Sequence, residues 1–462
     1  MENMENPIDP SIFRAYDIRG VVGESLTEAS VYAIGQAIGS MALAAGDHTV
    51  ALGRDGRLSG PKLSTALCRG ILKTGCDVID IGVVPTPVLY YATFQLETRS
   101  GVMLTGSHNP SNYNGLKIMI AGKTLAEEGI RSLYHLVKTQ QYTEGTGHRL
   151  TTDIIPRYIR HVLQDVRLNR PLRIVIDCGN GVAGAVAPTL FHEMGCEVTE
   201  LYCEVDGHFP NHHPDPSQPE NLADLIKTVR EKNADIGLAF DGDGDRLGVV
   251  TSKGDVIWPD RQLMLFAQSI LKVHPGATII YDVKCTRHLD AQISAEGGVP
   301  LMWKTGHSLI KSKLAETGAL LAGEMSGHLF FRDRWYGFDD ALYAAARLLQ
   351  IIAGQSRDTA DLFNDFPDSI NTPELKIAVP DHEKFDFITR LTQLADFNHG
   401  NVSTIDGLRM NFPDGWGLVR PSNTTPCLVL RFEADNTTVL EKIQAIFRQG
   451  LLAINPNLVL PF

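Results

Sequence analysis

The chain is organised around the stretch Gly101-Val102-Met103-Leu104-Thr105-Gly106-Ser107-His108-Asn109-Pro110. Its first four residues are apolar and predict a buried strand, and the six that follow are polar or turn-forming. A strand that ends in Gly-Ser-His holds a hydroxyl at the carboxyl edge of a sheet, where open α/β sheets bind ligands. Ser107 is therefore a candidate nucleophile or phosphoryl carrier, with His108 beside it. An ordinary turn has the same composition, so other parts of the chain must decide between the two.

The first three quarters of the chain repeat one order of elements three times. Each round has a β-rich run, a helical segment, a glycine stop, a second strand, and a third strand that ends in a loop of unusual composition. The first strands fall at 50–55, 174–179 and 279–284, the second at 74–79, 194–199 and 297–302, and the loops at 105–110, 241–246 and 323–328. This order is typical of a parallel α/β sheet. We predict three similar mixed α/β domains, each contributing one loop from the carboxyl end of a strand.

The last part of the chain has a different pattern. Short strands are predicted at 408–411, 417–420 and 427–432 and a helix near 438–449, which together indicate a smaller α+β domain. Polar or glycine-bearing intervals at 144–152, 251–255 and 354–372 separate the units. We predict four domains, 1–152, 153–255, 256–367 and 368–462, arranged around a central cleft.

The composition limits the classes of partner. Of the 462 residues, 43% are hydrophobic and 21% are charged, as in soluble globular proteins. The net charge of −12 argues against nucleic-acid or anionic-membrane partners, which need a basic surface. The N-terminus lacks the features of a signal peptide, and the apolar stretch 31–45 is too short and interrupted to span a bilayer. Seven scattered cysteines without a Cys-x-x-Cys motif fit reduced thiols, so we expect a cytoplasmic protein without a zinc site.

The loop Asp241-Gly242-Asp243-Gly244-Asp245-Arg246 predicts a divalent metal site. Three carboxylates at alternate positions in a tight glycine loop repel one another unless a cation lies among them. Oxygen ligands favour Mg²⁺, Ca²⁺ or Mn²⁺, and a site with few protein ligands suits Mg²⁺ in phosphate chemistry. The spacing is that of the start of an EF-hand, but Arg246 and Ser252 stand where a calcium loop needs glycine and glutamate. A solvated acidic turn is the other interpretation.

Two further loops carry groups that bind sugars and phosphates. The loop Gly323-Glu324-Met325-Ser326-Gly327-His328 follows a strand, and its Glu, Ser and His could hydrogen-bond sugar hydroxyls. A capping Glu324 and a packed structural His328 explain the same residues equally well. The loop Arg420-Pro421-Ser422-Asn423-Thr424-Thr425-Pro426 offers a guanidinium, hydroxyls, an amide and backbone N–H groups, which together suit a phosphate. Ordinary turn composition is again the alternative. Smaller candidates are Tyr16, Arg19, Lys117, Lys284, and the pair Lys304 and His307.

In this order the four loops resemble those of the α-D-phosphohexomutase superfamily. Residues 105–110 resemble its phosphoserine loop, 241–246 its metal loop, 323–328 its sugar loop and 420–426 its phosphate loop. Phe13-Arg14-Ala15-Tyr16-Asp17-Ile18-Arg19-Gly20 and Gly53-Arg54-Asp55-Gly56-Arg57 resemble further motifs, and the resemblance covers about residues 13–434. Met325 resembles the bacterial phosphomannomutase/phosphoglucomutase group, whereas phosphoglucosamine mutases usually have Gln at this position.

The resemblance implies a mechanism and a set of residues. Ser107 would be phosphorylated, with Mg²⁺ bridging it to Asp241, Asp243 and Asp245. The phosphoserine would convert a hexose 1-phosphate into a hexose 1,6-bisphosphate, which would turn over in the cleft and return its other phosphate to Ser107. The implied catalytic residues are Ser107, His108, Lys117 and Arg246. The implied substrate-binding residues are Tyr16, Arg19, Lys284, His307, Glu324, Ser326, His328, Arg420, Ser422, Asn423 and Thr424.

The implied partners are hexose phosphates of mannose or glucose, with glucosamine phosphate as the alternative. We expect a monomer without nucleic-acid or membrane partners, whose last domain moves to close the cleft. Two other classes use some of the same residues: a phosphatase with the same serine and metal, and a non-catalytic sugar-phosphate or Ca²⁺ binding protein. The sugar and phosphate loops argue against the phosphatase, and Ser107 flanked by His108 argues against the binding protein.

Overall fold

The computed structural model describes residues 8–394, 400–423 and 425–462. The chain forms four β-sheets, three of them mixed and the last antiparallel. This confirms three similar mixed α/β domains followed by a smaller α+β domain. No helix in these residues is both long and apolar enough to cross a membrane.

The first sheet has seven strands. They are β1 Ile18–Val21, β2 Thr49–Arg54, β3 Asp77–Val83, β4 Ser100–Leu104, β5 Tyr113–Ile120, β6 Lys123–Thr124 and β7 Arg149–Thr151. Their order is β1-β5-β4-β2-β3-β7, with β6 paired to β5. The helices are α1 Glu28–Ala44, α2 Gly60–Leu72, α3 Thr86–Gln95 and α4 Glu128–Thr139, and a 3₁₀ turn lies at Pro10–Ile12. Helix α1 begins with a capping box in which Thr27 and Ser30 each bond the other's backbone N–H.

The second and third sheets have five and four strands. The second contains β8 Arg173–Asp177, β9 Glu197–Leu201, β10 Ile236–Phe240, β11 Leu247–Thr251 and β12 Val256–Ile257, with α5 Ile155–Asp165, α6 Ala187–Glu193, α7 Ala223–Lys232 and 3₁₀ turns at Val182–Ala185 and Pro219–Leu222. The third contains β13 Thr278–Asp282, β14 Val299–Trp303, β15 Leu321–Gly323 and β16 Leu329–Phe331, with α8 Pro259–Leu271, α9 His288–Ala295, α10 His307–Thr317, α11 Ala341–Ala353 and α12 Thr359–Phe363. Their orders are β12-β11-β10-β8-β9 and β14-β13-β15-β16.

These three sheets share one internal plan. The repeated strands are β2–β5, β8–β11 and β13–β16. In each set the first three strands are parallel, with the first between the other two, and the fourth runs antiparallel beside the third. The fourth strands are β5, β11 and β16. The sequence pattern indicated the parallel strands but not the antiparallel ones, which follow the loops and make the sheets mixed. Each of the three loops is therefore the hairpin that joins the third strand to the fourth.

All three of the intervals that separate units in the sequence contain sheet structure, and in 354–372 it is a short strand, Ile370–Asn371, at the edge of the fourth sheet. Residues 144–152 include β7, which pairs with β3 at the edge of the first sheet. Residues 251–255 form the turn between β11 and β12 inside the second sheet. A polar composition marks an exposed edge or turn as readily as it marks a linker, which is why these intervals looked alike. The four domain limits stay a prediction.

The fourth sheet is built from hairpins. Its strands are β17 Ile370–Asn371, β18 Leu375–Ala378, β19 Asn401–Ser403, β20 Leu408–Phe412, β21 Gly415–Pro421 and β22 Cys427–Ala434, and its helices are α13 Lys384–Leu394 and α14 Thr437–Ile454. The order is β17-β22-β21-β20-β19, with β18 also paired to β22. Helix α14 begins where Asn436 caps the N–H of Val439, and it is longer than the sequence pattern predicted.

The buried apolar side chains divide the molecule into a large body and a smaller one. One core runs through the three α/β units and includes Tyr91, Phe191 and Phe331. The fourth sheet has a core of its own beneath α13 and α14. Only a small cluster of Val283, Trp416 and Leu418 joins apolar side chains of the third and fourth sheets within the described residues. Because apolar burial is the main source of stability, the fourth sheet is the unit most weakly joined to the others.

Candidate active site

The four loops meet in one cleft of about 670 Å³. Three of them are the β4–β5, β10–β11 and β15–β16 hairpins, and the fourth joins β21 to β22. Of the residues that the sequence indicated, the cleft is lined by Tyr16, Arg19, Ser107, His108, Lys117, Arg246, Lys284, His307, Glu324, Ser326, His328, Arg420, Ser422 and Asn423. Asp241, Asp243 and Asp245 are fully buried beside Ser107. Thr424 lies outside the described residues, and Lys304 does not line the cleft.

Ser107 has an unusual backbone conformation, with φ at 49°. A positive φ is uncommon for residues other than glycine and is enriched at functional sites. The Ser107 hydroxyl donates to Oδ2 of Asp241 at 3.1 Å and lies 3.2 Å from Nδ1 of His108. Burial, with Arg246 and Arg19 nearby, lowers the pKa of His108 well below its usual value. The imidazole beside Ser107 is therefore neutral and able to accept a proton.

The guanidinium of Arg57 holds the backbone of the β4–β5 hairpin from its buried side. Its five N–H groups donate, at 2.6–3.2 Å, to a carboxylate oxygen of Asp55 and to the carbonyl oxygens of Ser107, Asn109, Pro110 and Tyr113. All the donors of the side chain are thus used, which fixes the path of the hairpin. Gly106 has to lack a side chain, because a Cβ there would lie 2.4 Å from Cζ of Arg57.

The acidic loop, residues 241–246, brings three buried carboxylates together. One oxygen from each of Asp241, Asp243 and Asp245 lies within 4.8 Å of the other two. Oδ2 of Asp243 accepts from Thr86 at 2.5 Å and from Lys117 at 2.6 Å, and Lys117 also donates to Asp245. Oδ1 of Asp243 is buried without a hydrogen-bond partner among the described residues. A hard divalent cation such as Mg²⁺ binds carboxylate oxygens of this kind, so the residues fit the metal that the sequence indicated.

The carboxylates of the acidic loop differ in pKa. Burial, and then repulsion by Asp245 and Asp243, raises the pKa of Asp241 well above its usual value. Burial acts in the same direction on Asp245, but Lys117 and His328 outweigh it and hold the pKa of Asp245 well below that value. Burial would lower the pKa of Lys117, yet Asp243 and Asp245 raise it. Lys117 is therefore an ammonium ion that neutralises part of the negative charge.

His328 connects the acidic loop to the loop 323–328. Its Nδ1 lies 2.9 Å from Oε2 of Glu324, and its Nε2 lies 3.2 Å from Oδ1 of Asp245. Burial disfavours a charged imidazole, but Asp245 and Glu324 together raise the pKa of His328 to about 9. This pKa favours an imidazolium ion between the two carboxylates, whereas the Nε–H of Arg246, which points at Nε2 from 3.4 Å, favours the neutral ring. The other oxygen of Glu324 accepts from the backbone N–H of Gly306. Glu324 and His328 therefore line the cleft and also make the packed contacts that a purely structural role predicts.

The side of the cleft formed by the fourth sheet carries positive charge. Nε of Arg420 donates to Asp406 at 2.9 Å, and its Nη2 is buried without a hydrogen-bond partner among the described residues. Nζ of Lys284 donates to Glu374 at 3.1 Å. The Ser422 hydroxyl lies 2.8 Å from that of Thr425, which closes the turn between β21 and β22. A guanidinium with a free N–H group beside a lysine is a suitable partner for a phosphate.

Tyr16 and Arg19 reach the cleft from the segment around β1. Arg19 donates to Asp17 at 2.6 Å and also to the side chain of Asn109, next to the Ser107 hairpin. The ring of Tyr16 packs edge-on against His307, with the centroids 5.3 Å apart. Tyr16 thus joins the first unit to the side of the cleft formed by the third sheet, and Arg19 contacts the Ser107 hairpin.

The sequence pattern did not indicate the residues that support these loops. Arg57 lies in the motif 53–57, but nothing there pointed to its contact with Ser107, which is 50 residues away. Thr86 is 157 residues from Asp243, and Asp406 is 14 residues from Arg420. Partnerships at such distances along the chain produce no local periodicity or motif. The one signal in the sequence was the spacing of Asp55 and Arg57, two opposite charges two residues apart, which is compatible with a paired charge.

Comparison with known proteins gives consistent family matches along the chain. Models of phosphoglucomutase/phosphomannomutase α/β/α domains I, II and III match residues 10–144, 156–254 and 258–370, and a model of the C-terminal domain matches 374–450. The chain is 58% identical over 452 residues to a phosphomannomutase/phosphoglucomutase of Pseudomonas aeruginosa, covering 98% of each chain. It is 52% identical to a phosphoglucomutase of Neisseria meningitidis, covering 97% of this chain and 98% of that one. The crystal structure of a phosphoglucomutase/phosphomannomutase family protein from Burkholderia thailandensis superimposes with a TM-score of 0.94 at 50% identity, covering 98% of this chain and 100% of the other.

Replacing Arg57 by lysine should loosen the Ser107 hairpin. Lysine has three N–H donors where arginine has five, so at least two buried acceptors lose their partner, at a cost of about 1–3 kcal/mol each. We expect R57K to lower the thermal unfolding temperature and to speed amide hydrogen exchange in the peptide covering residues 105–113. R69K is the control, because Arg69 lies on the exposed face of α2. Unchanged exchange in R57K would show that the guanidinium does not hold the hairpin.

The His328 bridge predicts a pH-dependent contribution to stability in metal-free protein. Its pKa is raised to about 9, from about 6.5 in an unfolded chain, so the stabilisation is complete below pH 6.5 and is lost as the pH rises through 9. The full effect is on the order of 3 kcal/mol, from 1.36 kcal/mol per pKa unit. With EDTA present, the unfolding temperature of the wild type should exceed that of H328Q most at pH 6, and the difference should shrink by pH 10. H192Q, at an exposed histidine near Glu200, is the control. A difference that stays constant from pH 6 to 10 would contradict the charged bridge.

Proposed function

The chain belongs to the α-D-phosphohexomutase superfamily, and from that membership we propose that it interconverts the 1-phosphates and 6-phosphates of mannose and glucose. It is an enzyme of the phosphomannomutase/phosphoglucomutase kind, an isomerase that moves a phosphoryl group within one sugar. The observation that carries the proposal is the convergence of four loops, one from each sheet, on a single cleft. The hydroxyl of Ser107 lies at one side of that cleft, and the Nη2 group of Arg420, unpaired among the described residues, lies at the other.

The superfamily is metal-dependent, and we assign Mg²⁺ to Asp241, Asp243 and Asp245. The unpartnered Oδ1 of Asp243 and the all-oxygen donor set support this choice. When bound, the ion would supply positive charge next to the transferring phosphoryl group. The chain adds Lys117, an ammonium ion against the same carboxylates, and Arg246, which lines the cleft beside them. These fixed cations stabilise the charge that develops during phosphoryl transfer.

Ser107 carries the phosphoryl group between the two halves of the reaction. It gives this group to the free hydroxyl of a hexose 1-phosphate, which yields a hexose 1,6-bisphosphate, and then takes the phosphate from the other end of the sugar. The product is the hexose 6-phosphate, and each step runs in both directions. His108 is our candidate for exchanging the proton, because its Nδ1 lies 3.2 Å from the Ser107 hydroxyl. Lys117 is unsuited to that role, since its raised pKa keeps it charged.

The bisphosphate must turn over between the two transfers, so the cleft has to hold the sugar in two orientations. Arg420, Ser422, Asn423 and Thr424 receive the phosphate that is not reacting, with Lys284 nearby. Glu324 and Ser326 bind the 3- and 4-hydroxyls, which occupy similar positions in both orientations. Tyr16, Arg19, His307 and His328 complete the wall of the cleft.

Closure of the cleft belongs to the same proposal. The fourth sheet has its own core and touches the third mainly through polar groups, so we propose that it moves as a unit. Closure would exclude water, which would otherwise hydrolyse the phosphoserine. Because one chain supplies all four loops, we propose that the monomer is sufficient for activity. Its seven free cysteines suit the cytoplasm.

The decisive experiment compares intact mass and activity of the wild type, S107A and S111A. The wild type should carry about 80 Da of additional mass from one phosphoryl group. S107A should lose both this mass and the activity, by at least ~1,000-fold, or about 4 kcal/mol of transition-state stabilisation. S111A, at an exposed serine four residues on, is the matched control and should keep both.

Substrate assays with the same proteins separate the alternatives. Mannose 1-phosphate and glucose 1-phosphate should both give 6-phosphates, and glucosamine 1-phosphate should react more slowly. Release of inorganic phosphate as the main product would indicate a phosphatase. Full activity in S107A would remove Ser107 as the carrier.

The metal assignment is tested with D243N. An asparagine keeps one oxygen for Thr86 and Lys117 while replacing the unpartnered Oδ1 with an NH₂ group, which does not bind a cation. We expect the dissociation constant for Mg²⁺, measured by calorimetry, to rise by at least ~10-fold, or about 1.4 kcal/mol. D386N, at an exposed aspartate of α13, should bind Mg²⁺ like the wild type. Equal affinity in D243N would place the metal elsewhere.

A further inference from the structure

A buried ionic cluster lies beside His307, and a carboxylate oxygen of its Asp339 lies within 4.8 Å of a carboxylate oxygen of Asp245 and a ring nitrogen of His328. Lys311 is one turn after His307 on α10, and its Nζ donates to Oδ1 of Asp339 at 2.8 Å. The same Nζ lies 4.0 Å from the ring centroid of Tyr90, in a cation–π contact. Asp339 is fully buried just before α11, and Tyr90 is fully buried in α3. Neither Lys311 nor Asp339 lines the cleft, so neither touches the substrate.

The distances within this cluster determine which nitrogen of His307 carries the proton. Nδ1 of His307 lies 3.2 Å from Nζ of Lys311 and 3.6 Å from Oδ2 of Asp339. The first distance is within hydrogen-bond range, and the second is too long. Burial lowers the pKa of Lys311, but its ion pair with Asp339 at 2.8 Å favours the ammonium form. An ammonium group only donates, so with Lys311 charged Nδ1 is the acceptor and carries no proton. In a neutral imidazole the proton then lies on Nε2, which makes no hydrogen bond to any described residue.

The position of His307 in its helix acts in the same direction. His307 is the first residue of α10, an 11-residue helix whose N-terminal backbone N–H groups create a positive potential. A positive potential disfavours an imidazolium ion and favours the neutral ring. Lys117 and His328 add further positive charge on the cleft side, and burial disfavours the charged form as well. The nearby carboxylates of Asp245 and Asp339 act in the opposite direction, but neither is hydrogen-bonded to His307.

We propose that Asp339 and Lys311 are positioning residues that hold His307 neutral, with its proton on Nε2, so that this nitrogen donates a hydrogen bond to an oxygen of the sugar phosphate. Asp339 keeps Lys311 in place, and Lys311 keeps Nδ1 in the acceptor form. The inference rests on the proposed function for the identity of the ligand. The state of the ring itself does not depend on it.

The pair has to be removed together in a test. K311M alone would leave the Asp339 carboxylate buried without a cation, which destabilises the fold and hides any effect on His307. The double variant K311M/D339N removes both charges at once and leaves the net charge of the protein unchanged. K313M is the matched control, because Lys313 lies two residues on in the same helix and contacts Trp303 and Glu316 instead.

The first readout is the tautomer of His307 in protein labelled with ¹⁵N-histidine, with its signal assigned by its loss in H307Q. Long-range ¹H–¹⁵N correlation at pH 7.5 should show an unprotonated Nδ1 and a protonated Nε2 in the wild type and in K313M. In K311M/D339N the two nitrogens should move toward an average of both tautomers. A proton on Nδ1 in the wild type, or an unchanged signal in the double variant, would overturn the proposal.

The second readout is the Michaelis constant for mannose 1-phosphate and glucose 1-phosphate. Loss of one well-oriented hydrogen bond should raise KM by about fivefold in K311M/D339N, with a smaller change in kcat. The same double substitution in an H307Q background should have no further effect, because the positioned ring is already gone. An equal increase in both backgrounds would overturn the proposal by assigning the pair a purely structural role. If no protein in the set had mutase activity, the proposed function would fail, while the tautomer measurement would still decide the state of His307.

Discussion

The site depends on the concentration of negative charge in the acidic loop. Three carboxylates buried within 4.8 Å of one another are strongly unfavourable unless cations surround them. The first sheet supplies Lys117 and the third supplies His328, so charge neutralisation holds three sheets together at the point where the chemistry is proposed. The orientation of these sheets around the cleft is therefore an electrostatic requirement of the loop as much as a result of apolar packing.

The internal repeat explains why the loops meet at all. In each α/β unit the functional loop is the hairpin between the third parallel strand and the antiparallel fourth, so all three loops leave equivalent edges of their sheets. A hairpin is short and rigid at both ends, which makes it a more accurate support for a nucleophile or a metal ligand than a long connection. The shared apolar core of the three units then fixes the three edges against one another.

The sequence predicted the parts of the site that are local and missed those that are not. Ser107, the acidic loop and Glu324 stand in short motifs whose order along the chain indicated chemistry where each composition alone left a structural alternative, and the order of elements predicted the three α/β units and the α+β unit. The antiparallel fourth strands were not predicted, because their short apolar runs have no periodicity of their own. Arg57 was also missed, since its function is set by carbonyl groups about 50 residues away. Predicting it requires the folded path of the hairpin, which composition does not contain.

The separate core of the fourth sheet fits the need to turn a substrate around. If all four walls of the cleft shared one close-packed core, the cleft would be too rigid to let the sugar of a bisphosphate turn while one of its phosphates stays bound. Here the fourth unit contacts the third through polar groups: Asp406, which also accepts from Arg420 of the phosphate loop, accepts from the backbone N–H of Thr305, and Glu374 accepts from Lys284. As the two units separate, polar groups of this kind exchange their partners for water, whereas buried apolar contacts are lost without replacement. Under the proposed function, the chemistry lies on the body of three sheets, and the contact that would move carries the residues proposed to hold the phosphate.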